Sequence, residues 1–354
     1  MSAATDSVTG ATTPAADTTP SADPADTATS SAPGPRVRTT FHSILEGGLD
    51  WQALPMRLFV QGNQKFWDPS AIDLSQDTEH WELLDQSQKE GIAGLAVQFL
   101  IGEEAVTEDI QPFMYAMAAE GRLEDEMYLT QFALEEAKHV EAFRRWFDAV
   151  GIKRDLHYLL QSAATDDEPA GGIFAKLQPE AMGRLWTDQS PAAQIRANVV
   201  YNQFVEGTLA LTGYWVWSRI LDGLGGLFPG MRAIIRGISS DERRHLAWGT
   251  YNIRRHVAAD DAMWDHAVAC LDEMYELMLG RRDALRADTS PQTLAYRERF
   301  RAMGAGPGET WHYQVSRFER RYGAIESARG VSGERIEHGL EEEETDEEGY
   351  AALG

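Results

Sequence analysis

Two short segments carry the side chains best suited to redox chemistry. Glu135-Glu136-Ala137-Lys138-His139 and Asp241-Glu242-Arg243-Arg244-His245 each contain Glu-x-x-His. On a helix, residues i and i+3 share a face one turn apart, so each pair aims a carboxylate and an imidazole at one point. A further glutamate precedes each pair on an earlier apolar stripe: Glu103 before Glu136, and Glu206 before Glu242. Two helix hairpins thus each deliver a glutamate and then Glu-x-x-His. This is the ligand set of a di-iron or di-manganese carboxylate site inside a four-helix bundle. The bland alternative is a buried salt-bridge network. Four core carboxylates and two histidines cannot neutralise one another, however, whereas two divalent cations balance them. Oxygen and imidazole donors without thiolate suit iron or manganese, which activate O₂ where zinc cannot.

The neighbours of the motif sort by register. Glu135 and Asp241 each lie one residue out of line with the histidine they precede, which suits them to orient imidazole N–H groups. Glu104 points about 100° away from Glu103 and is the poorer ligand. His256, within Arg254-Arg255-His256, is expected at the surface, and no other histidine has a matching constellation. The single cysteine, Cys270, sits in an apolar run and is expected to pack as a small hydrophobe.

Helices must position these groups. A capping box at Ser87-Gln88-Lys89-Glu90 predicts a first long helix to about Glu120, with Gly121 as its stop and a kink at Pro112. A second is expected over about Leu123–Val150, with Tyr128, Phe132, Glu136, His139, Phe143 and Trp146 facing inward. Shorter pieces follow near 155–161 and 172–186. Ser190-Pro191 then opens a third long helix to about Asp222, and a fourth runs from Pro229 to His256. Two more cover about Ala262–Ala287 and Gly308–Tyr322. Residues 41–80 read as an ordered arm with little regular structure. Residues 1–40, rich in Ser, Thr, Ala and Pro, read as disordered, and so does an acidic tail at 331–354. The expected fold is an all-α bundle occupying 41–330.

Composition bounds the function further. The formal net charge is −24, with −2 in residues 1–40 and −8 in 331–354, so the body is itself acidic. That argues against binding nucleic acid, which needs Lys and Arg to displace counterions. No apolar run reaches 18 residues, no secretory signal opens the chain and no internal disulfide can form. A cytoplasmic protein is the natural expectation.

With these residues in hand, the sequence resembles the ferritin-like superfamily branch that contains the ribonucleotide reductase small subunit. It is most similar there to the ligand-binding oxidases, which hold a manganese/iron centre. The resemblance spans about Leu45–Gly330. It rests on Gly62-Asn63-Gln64-Lys65-Phe66-Trp67-Asp68-Pro69, on the segment from Gly102-Glu103-Glu104 to Pro112-Phe113, on Tyr201-Asn202-Gln203-Phe204-Val205-Glu206-Gly207 and on the second Glu-x-x-His segment. It implies a ferritin-like four-helix core, with manganese held by Glu103, Glu136 and His139, and iron by Glu206, Glu242 and His245. Glu136 would bridge the two.

The resemblance also implies a tyrosine–valine ether cross-link at Tyr201 and Val106, made by two-electron oxidation with O₂. A long-chain fatty acid bound in an apolar tunnel and a homodimer are further implications. Without the resemblance, Tyr201 and Val106 read as core packing. Tyr214, two turns beyond Glu206, either lines the site or is a core tyrosine. Two other functions stand beside the oxidase: a reductase small subunit with a manganese/iron cofactor, and a non-enzymatic metal or fatty-acid binder. Phe143 stands where the reductase subunit carries its radical tyrosine, and Glu103 where it commonly carries Asp. Tyr350 in the acidic tail points weakly the other way.

Overall fold

The computed structural model describes residues 39–160 and 172–339. Most of the two termini expected to be disordered, and Tyr350 with them, lie outside that range. Among the described residues every regular element is helical and no strand occurs, so the chain has the expected all-α class. None of these helices is long and apolar enough to cross a membrane.

The segment expected as an irregular arm instead forms helices α1 (Leu54–Gln64) and α2 (Ser75–Leu83). Pro55 opens α1, and Leu54, Met56, Leu58 and Gly62 give it a buried face. The Gly, Asn and Pro residues that suggested loop lie at the edges of these elements. In α2, Asp77 is buried and accepts from the backbone N–H groups of Gly230 and Met231 (2.7 and 2.8 Å) and from Trp146 Nε1 (3.1 Å). One carboxylate thereby satisfies orphan donors at the start of a distant helix and pins three segments together.

Helix α3 (Gln86–Asp109) begins two residues earlier than expected. Asp85 is its N-cap, and Gln88 completes the reciprocal box; Ser87 has Glu90 at the same spacing, so the two positions carry the same signature. The kink expected at Pro112 is a full break, which divides the expected single helix into α3 and α4 (Gln111–Glu120). Gly121 stops α4 with φ 77°, a conformation that favours glycine. Helix α5 (Leu123–Ala149) packs along α3. All six residues of its predicted inner stripe are buried.

After the short α6 (His157–Leu160) and α7 (Gln178–Gly183) comes the largest local departure. The third long helix is three pieces on one axis: α8 (Pro191–Asn198), a π-helix over Val199–Ala210, and α9 (Leu211–Gly223). Its start is as read, with the Ser190 hydroxyl accepting from Ala193 N–H. In the π stretch the repeat widens to i→i+5, and Thr208 Oγ1 donates to the carbonyl of Gln203 (2.9 Å). Tyr201 and Glu206, five apart, therefore share a face here. The insertion has no signature in apolar periodicity, because every residue from Val199 to Thr208 is buried.

Helix α10 (Pro229–Ala259) brings the second motif against this π-helix. The approach is close enough to require Gly249, where a Cβ would stand 2.2 Å from the Asn202 side chain. Helices α11 (Ala262–Ala287), α12 (Pro291–Ala302) and α13 (Pro307–Glu326) complete the body. The stretch read as a solvated tail opens with one more helix, α14 (Gly333–Glu337). Ile336 is buried there, and Glu337 accepts from Arg122 Nη2 (2.7 Å). Scattered contacts of this kind leave no periodic signal in an acidic sequence.

His256 also departs from expectation. It is buried, and its Nε2 bonds Gln194 Oε1 at 3.1 Å. Burial, with Arg255 beside it, pushes its pKa down to about 3, so it is neutral. The adjacent arginines suggested solvent, but α10 packs on α8 and turns this residue inward. Cys270 is buried as expected, and burial pushes its thiol up.

Candidate metal centre

Four helical segments converge on one buried cluster. Helix α3 contributes Glu103, α5 contributes Glu136 and His139, the π-helix contributes Glu206, and α10 contributes Glu242 and His245. All six are buried. They form two groups whose ligand atoms all lie within 4.8 Å of one another: Glu103, Glu136, His139 and Glu242, and then Glu136, Glu206, Glu242 and His245. Glu136 and Glu242 belong to both. His139 Nδ1 lies 3.0 Å from Glu103 Oε2 and 3.6 Å from Glu242 Oε1. His245 Nδ1 lies 2.9 Å from Glu136 Oε1 and 3.7 Å from Glu206 Oε1. Glu104 is exposed, in keeping with its register.

The opposite nitrogens face outward and are served crosswise. His139 Nε2 lies 3.2 Å from Asp241 of the second motif, and His245 Nε2 lies 2.9 Å from Glu135 of the first. An Nε2–H donated outward leaves the Nδ1 lone pair directed at the cluster, the tautomer a metal needs. Arg244 ties the arrangement together, donating from Nη2 to Glu135 Oε1 and to Asp241 Oδ1, each at 2.6 Å. Burial opposes the charge on Asp241, but His139, Lys138 and Arg244 outweigh it and hold this carboxyl well below its usual range. Glu135 is likewise held low, by His245 and Arg244 against burial.

The inner carboxylates behave oppositely. Burial, reinforced by Glu242, raises Glu136 well above the ordinary value. Burial pushes Glu206 up to about 7. Burial disfavours both imidazolium ions, yet Glu103 and Asp241 raise His139, while Tyr128 and Glu135 raise His245. Two carboxylate oxygens of the cluster, Glu206 Oε1 and Glu242 Oε2, are buried without a hydrogen-bond partner. Such groups are expensive to bury unless something coordinates them. Hard oxygen and imidazole donors, two of the six shared, fit a pair of first-row divalent ions.

The sequence matches the family described as ribonucleotide reductase, small chain, over residues 56–278, more than half of the chain. Solved structures agree. The R2-like ligand-binding oxidase from Sulfolobus acidocaldarius is 32% identical, with a TM-score of 0.73 over 85% of this chain and 99% of that one. An R2-like ligand-binding oxidase with an aerobically reconstituted Mn/Fe cofactor is 36% identical, with a TM-score of 0.73 over 82% and 98%. A glycine-to-leucine variant with an aerobically reconstituted Fe/Fe cofactor is also 36% identical, with a TM-score of 0.73 over 82% and 99%. The chain belongs to the ribonucleotide reductase small-chain family, among its R2-like ligand-binding oxidases. It is accordingly an oxidoreductase.

Around this oxidase's cluster lie further side chains that the motif spacing does not single out as partners of the ligands. Trp67 donates from Nε1 to Asp241 Oδ2 (2.7 Å), and its ring is stacked near His139 (centroids 6.2 Å apart, planes 13° apart). Lys138 is buried beside Asp241 (3.0 Å) and over the Trp67 ring. Asn202 donates to Glu206 Oε2 (2.8 Å) and fixes its orientation. Phe132 stacks on His245. A signal existed for Trp67 and Asn202, since both fall inside segments that carry the family resemblance. Phe132 stands on the predicted inward stripe one turn before Glu136, whereas Lys138 has no signal, because its role depends on which helix packs opposite. Tyr201, implied by the resemblance, donates to Glu136 Oε1 (3.1 Å), and Tyr214, read from its spacing, donates to Glu242 Oε1 (3.2 Å), so both tyrosines touch the cluster.

The protonation pattern makes a pH prediction. Metal ions require deprotonated carboxylates and neutral imidazoles. Because Glu136, Glu206, His139 and His245 all hold protons more tightly than usual, loading near neutral pH is expected to release on the order of two to four protons per centre. Apparent affinity then falls as pH falls. Calorimetric titration in two buffers of different ionisation enthalpy measures this; identical heats in both would contradict it.

Proposed function

We propose that the chain is an O₂-activating dimetal oxidase acting on a hydrophobic, fatty-acid-like ligand. Glu103, Glu136 and His139 would hold manganese, and Glu206, Glu242 and His245 iron, with Glu136 shared. Bound there, the reduced pair supplies electrons and Lewis acidity to O₂. The observation that carries the ligand reading is one cavity of about 470 Å³. It reaches Glu103, Glu136, Glu206 and Glu242 at its inner end, and its wall includes Val106, Phe99, Phe204, Leu209 and Tyr214. An apolar cavity ending on a few convergent polar groups is the usual form of a small-molecule site. It favours a ligand-oxidising role over storage.

A reductase subunit is less favoured. Phe143, where that subunit's radical tyrosine would stand, is fully buried and stacks on Phe99. It offers no oxidisable hydroxyl.

The self-made Tyr201–Val106 ether belongs to the same reading. Burial and the nearby Glu136 hold the Tyr201 hydroxyl protonated. Its bond to Glu136 Oε1 gives the phenolic proton an acceptor. Joining the Tyr201 oxygen to a Val106 carbon removes one hydrogen from each residue as two protons and two electrons, with O₂ as the electron acceptor. A denatured-protein mass spectrum after aerobic metal loading tests the reading. The expected result is a loss of two hydrogens, traced to peptides bearing Val106 and Tyr201 and absent from Tyr201→Phe. An unmodified wild-type mass would refute the cross-link. A homodimeric assembly and a cytoplasmic location complete the proposal.

A further inference from the structure

The cavity that reaches the cluster is charged at both ends, with opposite signs. Among the described residues the acids in its wall are Glu103, Glu136, Glu206 and Glu242, all buried at the inner end. The basic residues in its wall, again among the described residues, are Arg281, Arg282 and Arg286 of α11 and Arg297 of α12. Arg281 and Arg286 are exposed while Arg282 and Arg297 are half-buried, which marks this end as the one open to solvent. Between the two lies an apolar wall that includes Leu95, Phe99 and Phe204.

Four guanidiniums around one opening stand out in a chain with a formal net charge of −24. Arg282 pairs with the exposed Asp283 (2.7 Å) and lies over the Trp311 ring. Arg297 donates to the backbone carbonyl of Asp288 (3.0 Å), whose carboxylate is taken up by Thr293 and Ser290. Among the described residues Arg286 makes no ion pair.

We propose that this rim is an anion subsite, so that the ligand carries an anionic group at the end remote from the metal cluster. This rests on reading the cavity as the ligand site. A simple fatty acid whose carboxylate met the metals would leave its methyl end among guanidiniums, where it gains nothing from their charge. A second carboxylate or a phosphate at that end gains charge-assisted, bidentate hydrogen bonds instead. The ligand class is therefore an apolar chain with an acid at either end, and the shared outer chemistry is that of an oxyanion.

The test compares, on full-length metal-loaded protein, monocarboxylic acids from dodecanoic to octadecanoic with the dioic acids of equal length and their ω-phosphono analogues. Isothermal titration gives the dissociation constants. The proposal expects a doubly acidic ligand to bind about tenfold tighter than the monoacid of its length. Whether the dioic or the phosphono series gains more identifies the oxyanion. In Arg286→Gln/Arg297→Gln the advantage is expected to fall below about threefold, with monoacid affinity and metal content unchanged. Arg286→Gln alone, at an exposed position, shows a partial loss should the double variant fold poorly. Equal affinity for the two ligand classes in the wild type, or an advantage that survives in the variants, overturns the subsite and leaves the cavity reading intact. Failure of both classes to bind overturns the two together.

Discussion

Alanine in place of Glu136 is expected to leave the purified protein with well under half the transition-metal content of the wild type. Glu136 belongs to both candidate ligand groups, and it also receives the Tyr201 hydroxyl. Even partners one shell out from a metal typically alter affinity about 10- to 100-fold. Losing a donor shared by two ions weakens both, and Glu242→Ala is expected to do the same. The metal-free fold suffers little. Burial and the proximity of Glu242 already disfavour a charge on Glu136, so its removal relieves repulsion while it costs some packing. Elemental analysis beside circular dichroism separates ligation from folding. The control is Glu104→Ala, one residue along from Glu103 but exposed, which should retain full metal content.

The second large effect is on stability. Metal-free, the cluster keeps four carboxylates and two imidazoles out of water with two carboxylate oxygens unpaired. An ion that binds only the folded state stabilises it by about 4 kcal/mol when present at roughly a thousandfold its dissociation constant. Two ions acting together should raise the melting temperature on the order of 10 °C or more in a chain of this size. Scanning calorimetry with and without manganese and iron measures it. In Glu136→Ala most of the shift disappears. A wild-type protein that melts at one temperature whether loaded or stripped would count against a resident dimetal centre.

Much of this was legible from spacing. Glu-x-x-His recurs on two apolar stripes, and a helix puts i and i+3 on one face regardless of context. The six inward side chains, the all-α class and the starts at Ser190 and Pro229 therefore follow from local rules. The roles of Glu135 and Asp241 as imidazole partners could also be read from their register. Which histidine each serves could not, because the crosswise exchange through Arg244 depends on how α5 and α10 face each other. The π-helix was hidden for another reason. A wholly buried segment shows no periodicity to reveal an extra residue per turn. Helix α1 was masked by aromatics and turn formers at its edges. His256 was misread because two arginines beside it imply solvent, while packing against α8 decides otherwise.

The most direct measurement is anomalous diffraction at the manganese and iron edges on crystals of aerobically prepared protein. The expected result is two ions per chain within reach of Glu103, Glu136, His139, Glu206, Glu242 and His245, with manganese signal on the His139 side and iron on the His245 side. Density without anomalous signal among these six residues, or metal found only elsewhere, would contradict the account.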